Sequence, residues 1–202
     1  MIDTKKISSE MDINLKKVLS TLLNKDEISI NNEHGSYKIN IKSKDLLKVV
    51  KALKDNEKLK FYQLIDLTAV DYPDSLSRFN LVYIFLSTDY NARIILNTFI
   101  SEDESVDSIT SLFPCANWYE REVWDLFGIS FKNHPDLRRI LTDYGFSGFP
   151  LRKDFPLSGN VEVRYDITSK KVIYEPVKLT QDFRDFDFES PWEGKSQKKN
   201  ND

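Results

Sequence analysis

The spacing of apolar residues along the first part of the chain predicts four helices. Leucine and valine recur every three or four positions over residues 10–24, which is typical of an amphipathic helix. A second such helix begins near Ser43, which can cap its N-terminus, and continues to about Asp55. Two further helices are predicted at about 104–113 and 117–127.

Other segments alternate between apolar and polar residues, or are rich in β-branched and aromatic residues. Alternation on both sides of a polar turn predicts a hairpin over residues 27–42. Residues 79–88 and 93–100 are the clearest strands, and a Thr-Asp-Tyr-Asn turn separates them. Segment 61–70 is apolar without a clear period, and it is interpreted as a short helix or the start of a strand.

The pattern changes after Gly128, where regular helical spacing ends. Five of the six glycines and five of the seven prolines lie beyond residue 127, and only a small hairpin is indicated, at 161–165 and 172–174. Flexible linkers are poor in aromatic residues, so residues 143–194 are predicted to be an extended arm that buries its side chains against a partner. The alternative is that this arm folds back on its own domain, residues 1–142. Residues 195–202 are predicted to be a disordered tail. The aromatic residues of the arm include Tyr144, Phe146, Phe149, Phe155, Phe183, Phe186, Phe188 and Trp192.

Composition excludes several classes of function. The chain has one cysteine and two histidines, too few for an iron–sulfur cluster or a structural zinc site of its own. Its net charge of −3 gives no reason to expect nucleic-acid binding. The longest apolar run, Leu81–Leu86, is far shorter than the ~20 residues of a membrane-spanning helix. The N-terminus resembles no targeting signal, so synthesis is expected where the protein acts, in a bacterial cytoplasm or a genome-bearing organelle.

Basic residues are unevenly distributed along the chain. Residues 1–60 contain 13 lysines and no arginine, whereas residues 112–192 contain six arginines. Because arginine pairs bidentately with carboxylates and tolerates burial, the second half is predicted to form specific, partly buried ion pairs. The alternative is a codon bias without structural meaning.

The densest charged motif is Glu-Arg-Glu-Val-Trp-Asp-Leu-Phe-Gly, which begins at Glu120 within the helix predicted from Asn117 to Gly128. Glu122 and Asp125 are an i, i+3 carboxylate pair, a spacing that acid–base or hard-metal chemistry could use. Arg121 lies one turn from Asp125, so the motif favours an ion-pair network that fixes the helix on a neighbour. The apolar face of the helix is predicted to comprise Tyr119, Val123, Leu126 and Phe127.

Two other residues with reactive side chains lie near this motif. His134 is interpreted as a hydrogen-bonded loop residue, with metal ligation as the alternative. Cys115 lies between Pro114 and Ala116, and it is interpreted as a small packing residue rather than a nucleophile.

This motif and the segments after it resemble the signature of the 30 kDa subunit of respiratory complex I. The resemblance covers about residues 61–193, and its closing Phe-Asp-Phe and Ser-Pro-Trp-Glu are most similar to the mitochondrially encoded form. The matching positions are Glu120–Glu122, Asp125–Phe127, His134, Arg138, Ile140–Leu141, Gly148–Leu157, Val161–Tyr165, Tyr174–Val177, Phe183–Phe188 and Ser190–Glu193.

The resemblance implies a fold and a place in a complex. The implied fold is α+β, a two-layer domain with a mixed or antiparallel sheet and helices, plus a long irregular C-terminal arm. The implied role is a cofactor-free peripheral-arm subunit of proton-pumping NADH:ubiquinone oxidoreductase, docked on the hydrogenase-related large subunit near the quinone site. The assembled complex is implied to use FMN, iron–sulfur clusters, NADH and ubiquinone.

The implied location is the matrix side of the mitochondrial inner membrane, or alternatively the cytoplasmic face of a bacterial plasma membrane. Two other functions remain open at this point: the equivalent subunit of a membrane-bound hydrogenase-type complex, and a hydrolase that uses Glu122 and Asp125. The residues expected at subunit interfaces are Glu120, Arg121, Glu122, Trp124, Asp125, His134, Arg138, Arg139, Arg152, Phe155, Arg164, Phe183, Arg184, Phe186, Phe188 and Trp192.

Overall fold

The computed structural model describes residues 4–22, 30–33, 36–179 and 181. The chain divides into two compact units, Met1–Leu157 and Ser158–Asp202. The first contains helices α1 (Thr4–Leu22), α2 (Leu46–Asp55) and α3 (Ala116–Phe127), and strands β1 (Ile30–Glu33), β2 (Ser36–Ile41), β3 (Gln63–Asp71), β4 (Phe79–Ser87), β5 (Ala92–Ile100), β6 (Val106–Asp107) and β7 (Phe131–Lys132). The second contains β8 (Val161–Asp166) and β9 (Lys171–Pro176).

The first unit is built on a mixed five-stranded sheet with the order β1-β2-β5-β4-β3. β2 and β5 are parallel, and the other neighbouring strands are antiparallel. Asn91 adopts a positive φ of 47° in the turn between β4 and β5, a conformation that asparagine tolerates better than most residues. A separate two-stranded parallel pair joins β6 to β7. This architecture confirms the predicted α+β class with a mixed sheet.

One face of the sheet and the helices share a single hydrophobic core. Alternate residues of β4, including Leu81, Tyr83 and Phe85, are buried, as the two-residue period of a strand requires. The buried stripes of α2 and α3 belong to the same cluster. The side chains between the buried β4 positions, such as Val82 and Ile84, are half-buried on the opposite face.

One predicted helix is wrong, and one of the two interpretations of segment 61–70 is confirmed. Residues 104–113 form β6 and a series of turns, because the Ser108 hydroxyl accepts the Thr110 N–H at 3.2 Å and so competes with helical hydrogen bonding. Segment 61–70 lies mostly in β3, where pairing with β4 along the strand outweighs its ambiguous local pattern. Ser43 does not cap α2; it begins a short 3₁₀ turn, and its hydroxyl donates to Glu104.

The first compact unit ends at Leu157, later than the predicted boundary at residue 142. Residues 143–157 belong to this unit because backbone and side-chain hydrogen bonds attach them to α3 and to the sheet. For example, the Leu151 N–H donates to the Leu126 carbonyl at 3.0 Å, and the Lys153 N–H donates to the Asp71 carboxylate at 2.8 Å. The small hairpin predicted near 161–174 is present as β8 and β9.

Candidate functional site

Helix α3 directs the three acidic residues of the motif into different surroundings. Glu120 and Asp125 are both 0% exposed, whereas Glu122 is exposed. Positions five apart on a helix point to different sides, so Glu120 faces the segment after β6 while Asp125 faces residues 139–142. The i, i+3 pair considered for acid–base chemistry is therefore divided between solvent and a buried network.

Asp125 organises that buried network. Its Oδ2 accepts the N–H groups of Ile140, Leu141 and Thr142 at 3.0, 2.7 and 2.9 Å. Its Oδ1 accepts the Thr142 hydroxyl at 2.5 Å and forms an ion pair with Arg139 at 2.8 Å. Burial alone would raise the pKa of Asp125, but these donors outweigh it and hold the pKa well below its usual range. Asp125 is thus an ionised structural group whose oxygens are already occupied.

Arg139 connects this carboxylate to the aromatic residues that follow. Its guanidinium lies over the rings of Trp124, Phe146 and Phe149 at 5.7, 5.7 and 5.5 Å from their centroids. It also donates to the Gly148 carbonyl at 3.2 Å. Three ring contacts around one paired arginine hold this segment on α3 through cation–π attraction as well as hydrogen bonding.

Arg152 has a similar position at the end of α3. Its guanidinium lies over the rings of Phe79 and Phe149 at 5.1 and 4.5 Å, and it pairs with Glu102 at 2.5 Å. Gly128 ends α3, as predicted, and its φ is 78°. Because it has no side chain, Arg152 and Phe149 can approach it closely. A Cβ on Gly128 would lie 2.6 Å from Arg152 Nη2 and 2.7 Å from Phe149. Close packing and backbone conformation both require glycine there.

Sequence analysis missed a second charged cluster, centred on Asp71 and Arg78. Arg78 contacts both oxygens of Asp71, at 2.8 and 3.1 Å, and also pairs with Glu102 and Asp154 at 3.1 and 2.8 Å. The Arg78 guanidinium lowers the pKa of Asp71, whose side chain is 1% exposed. The sequence contains one indication of this cluster, a pair of opposite charges at the two ends of the β3–β4 loop.

Arg121 does not neutralise Asp125 as predicted. The Arg121 guanidinium donates to the carbonyls of Arg138 and Arg139, each at 3.0 Å. Arg139, rather than Arg121, forms the ion pair with Asp125. Arg138 is exposed and pairs with the neighbouring Asp136 at 2.8 Å. The predicted partly buried arginine pairs therefore exist, but they connect segments of this chain.

The remaining described candidates occupy varied positions. His134 is a hydrogen-bonded loop residue, because its Nδ1 accepts the Asp136 N–H at 3.1 Å. Phe155 contacts the ring of Phe146, with 5.9 Å between centroids. Arg164 pairs with Glu175 across the β8–β9 hairpin at 2.8 Å. The other candidates lie outside the described residues: Phe183, Arg184, Phe186, Phe188 and Trp192.

The β8–β9 hairpin has one apolar and one charged face. Register places Val163 opposite Tyr174 and Tyr165 opposite Val172, and all four side chains are between 56% and 60% exposed. The Arg164–Glu175 ion pair lies on the other face. A two-stranded hairpin is at best marginally stable in water, and it gains stability by burying such a face.

Neither a metal centre nor a membrane span is found in the described part of the chain. Across residues 4–22, 30–33, 36–179 and 181, no group of three or more His, Cys, Asp or Glu side chains is arranged to hold a metal ion. Among the helices described there, none is long and apolar enough to cross a bilayer. The cysteine, Cys115, is exposed rather than packed, contrary to its interpretation from sequence.

Comparison with known proteins identifies close relatives in bacteria and mitochondria. One NADH-quinone oxidoreductase subunit, from Paramagnetospirillum magneticum, is 53% identical over 81% of this chain and 82% of its own length. NADH-ubiquinone oxidoreductase subunit 9 of Reclinomonas americana is 54% identical over 79% and 78%. NADH dehydrogenase [ubiquinone] iron-sulfur protein 3 of Beta trigyna is 56% identical over 80% and 83%. A single cysteine cannot supply the four ligands that a cluster normally needs, so this chain does not fit one of its own.

A solved structure shares the fold at lower identity. A chain of the membrane-bound sulfane sulfur reductase, an archaeal respiratory membrane complex, superimposes with a TM-score of 0.62 at 22% identity, over 72% of this chain and 85% of that one. The family model for the respiratory-chain NADH dehydrogenase 30 kDa subunit matches residues 39–161. Because that match spans more than half of the chain and agrees with the relatives, the chain belongs to the respiratory-chain NADH dehydrogenase 30 kDa subunit family.

Proposed function

We propose that this chain is a cofactor-free subunit of the peripheral arm of proton-pumping NADH:ubiquinone oxidoreductase. In this proposal it docks on the hydrogenase-related large subunit near the quinone site. Electron transfer then belongs to the assembled complex, with its FMN, iron–sulfur clusters, NADH and ubiquinone, and not to this chain. Family membership and the names of the relatives support the assignment to this complex.

The observation that carries the docking proposal is the exposed apolar face of the β8–β9 hairpin. A face formed by Val163, Tyr165, Val172 and Tyr174 loses contact with water when it meets an apolar surface of a partner. Burying a valine in this way contributes roughly 1.5–3 kcal/mol before the cost of association. The hairpin is therefore the part of the predicted arm best suited to bind another subunit.

The internal contacts of residues 143–157 divide the interface candidates into those engaged within this chain and those proposed to contact a partner. Arg139, Arg152 and Phe155 are engaged within the first compact unit, so we propose that they stabilise that unit rather than contact a partner directly. Glu122 and Arg138 are exposed and remain candidates for direct contact. The interface candidates beyond Leu157 are likewise kept in the proposal as direct contacts. We place the complex on the matrix side of the mitochondrial inner membrane, with the cytoplasmic face of a bacterial plasma membrane as the alternative.

Native purification is the test of this function. A tagged full-length chain, isolated from mildly solubilised membranes, is expected to bring down the hydrogenase-related large subunit in a 1:1 ratio together with NADH–quinone activity. Mass spectrometry of the purified material identifies the partners. Recovery of the chain alone, or with subunits of a complex that uses another electron donor, would contradict the proposal.

The purified chain by itself is expected to contain no stoichiometric iron or zinc and to show no saturable NADH binding. The reason for the metals is the ligand count, one cysteine and two histidines in the whole sequence, and the reason for NADH is that the sequence contains no Gly-x-Gly-x-x-Gly loop. Elemental analysis and a fluorescence titration with NADH measure both. One equivalent of bound iron, or saturation at micromolar NADH, would show that the chain carries a cofactor.

A further inference from the structure

Glu120 is a buried carboxyl group with one satisfied oxygen. Its Oε1 accepts the Ile109 N–H at 2.8 Å, whereas the Ser108 hydroxyl lies 2.8 Å from the Thr110 hydroxyl. Within the described part of the chain, Oε2 has no hydrogen-bond partner. His134 Nε2 lies 3.9 Å from Oε2, and both side chains are 0% exposed. An ionised carboxylate in this setting would keep one oxygen buried and unpaired.

The groups that face Glu120 come from three neighbouring elements. Tyr83 projects from β4, and its buried hydroxyl has no partner among the described residues. Burial, and secondarily a negative charge on Glu120, raise the pKa of Tyr83. Ser108 and Ile109 approach from the segment after β6, and His134 from the loop after β7. The nearby arginines on α3 and beyond it are engaged elsewhere, with backbone carbonyls or with Asp125.

Hydrogen bonding of His134 indicates where a proton in this cluster resides. Nδ1 accepts the Asp136 N–H, so a neutral ring carries its proton on Nε2, which lies 3.2 Å from the Asn117 carbonyl. Nε2, the His134 nitrogen nearest to Glu120, then carries a hydrogen and cannot accept a proton from the carboxyl group. The acidic proton therefore stays on Glu120.

We propose that Glu120 forms a pH-sensitive contact between α3 and the segment after β6. Its side chain is a neutral carboxylic acid in the folded protein, and the contact weakens when that acid ionises. In the neutral form, Oε1 continues to accept the Ile109 N–H, and the unpaired oxygen carries no charge. Ionisation places a buried charge there without a hydrogen-bonded cationic partner. Attachment of α3 to the β6–β7 pair weakens as a result.

The direction of the pH effect follows from the two protonation states. Burial raises the pKa of Glu120 from 4.5 to about 7, and the bonds from Ser108 and Ile109 offset part of this rise. Between these values Glu120 holds a proton in the folded chain that it has released in the unfolded chain. The contribution of Glu120 to the free energy of unfolding is therefore fully present below pH 4.5 and is lost as the pH rises through about 7. Asp71 and Asp125, with lowered pKa values, stay ionised across this range.

Denaturant unfolding of the full chain at about pH 5 and pH 8 tests the proposal. The wild-type folding equilibrium constant is expected to fall on the order of 10- to 100-fold relative to that of Glu120→Gln, which mimics the neutral acid. Glu122→Gln, on the exposed side of the same helix, is the matched control and should follow the wild type. A Glu120→Gln chain with the full wild-type pH dependence would overturn the proposal.

Infrared spectroscopy gives a second readout that does not depend on stability. At pH 6 the wild type should show the C=O band of a protonated carboxylic acid, and Glu120→Gln should lack it. If Glu120→Gln fails to fold, the wild-type spectrum tests the proposal by itself: the acid band should disappear as the pH rises from 6 to about 8. A Glu120 already ionised at pH 6, beside a protonated His134, would show that the pair is an ordinary buried ion pair.

Discussion

Replacement of Asp125 by alanine is expected to lower the free energy of unfolding by about 3–5 kcal/mol. The carboxylate is 0% exposed and accepts three consecutive N–H groups, at Ile140, Leu141 and Thr142. Its removal leaves these donors and the Arg139 guanidinium without their partner in a partly buried site. Attachment of residues 139–157 to α3 should weaken at the same time.

Chemical denaturation at pH 7, with limited proteolysis after residue 139, measures both effects. Asp136→Ala is the matched control, because it removes an exposed carboxylate that pairs with Arg138 and should cost at most about 1 kcal/mol. Asp125→Asn should lie between the two, since the amide keeps one acceptor but loses the charge. Equal stabilities for Asp125→Ala and Asp136→Ala would show that the network is solvated and contributes little.

Acid should weaken the same network. The lowered pKa of Asp125 means that its stabilising contribution is fully present above the pKa of the unfolded chain, near 3.9, and is lost as the pH falls below that value. This is opposite in sign to the effect inferred for Glu120. The contributions of the two buried carboxyl groups of α3, Glu120 and Asp125, can therefore be distinguished by pH alone.

A double substitution on the apolar face of the hairpin, Val163→Lys with Val172→Lys, is expected to abolish assembly of the complex. The two valines are 59% and 56% exposed in the isolated chain, so the folding of the first compact unit should not change. Loss of two buried valines and burial of two charges at an interface together cost several kcal/mol, which corresponds to at least a hundredfold weaker binding.

Native gels of solubilised membranes quantify the assembled complex, and thermal unfolding of the purified chain checks the fold. Lys171→Gln is the control on the opposite face of the hairpin; it removes one charge without placing a like charge opposite Asp166, so it should assemble normally. If the double variant assembles at wild-type levels with normal turnover, the hairpin does not bind a partner.

β4 and β5 could be predicted from sequence because both are rich in β-branched and aromatic residues and a polar turn separates them. β3 could not be assigned uniquely, because its bulge between Leu64 and Asp66 interrupts the two-residue period of a strand. The helix expected at 104–113 failed for a different reason: the Ser108 side chain accepts the Thr110 N–H, which a count of apolar positions does not register.

The charged motif on α3 was correctly singled out, but its pairing was not. Arg121 is one helical turn from Asp125 in sequence, but Arg139, from the loop after β7, forms the ion pair with Asp125. The buried stripe of α3 includes Glu120, at helical spacing from Val123 and Phe127. Sequence reasoning placed Tyr119 there, since a buried glutamate is recognisable only when its hydrogen-bond partners are known.

Site-specific photo-crosslinking in native membranes tests most directly whether this chain docks through its hairpin. A crosslinkable residue at position 163, on the apolar face, should join this chain to the hydrogenase-related large subunit, and one at position 171 should do so weakly or not at all. Crosslinks from position 163 that reach only this chain's own residues, or a yield equal to that from position 171, would contradict the account.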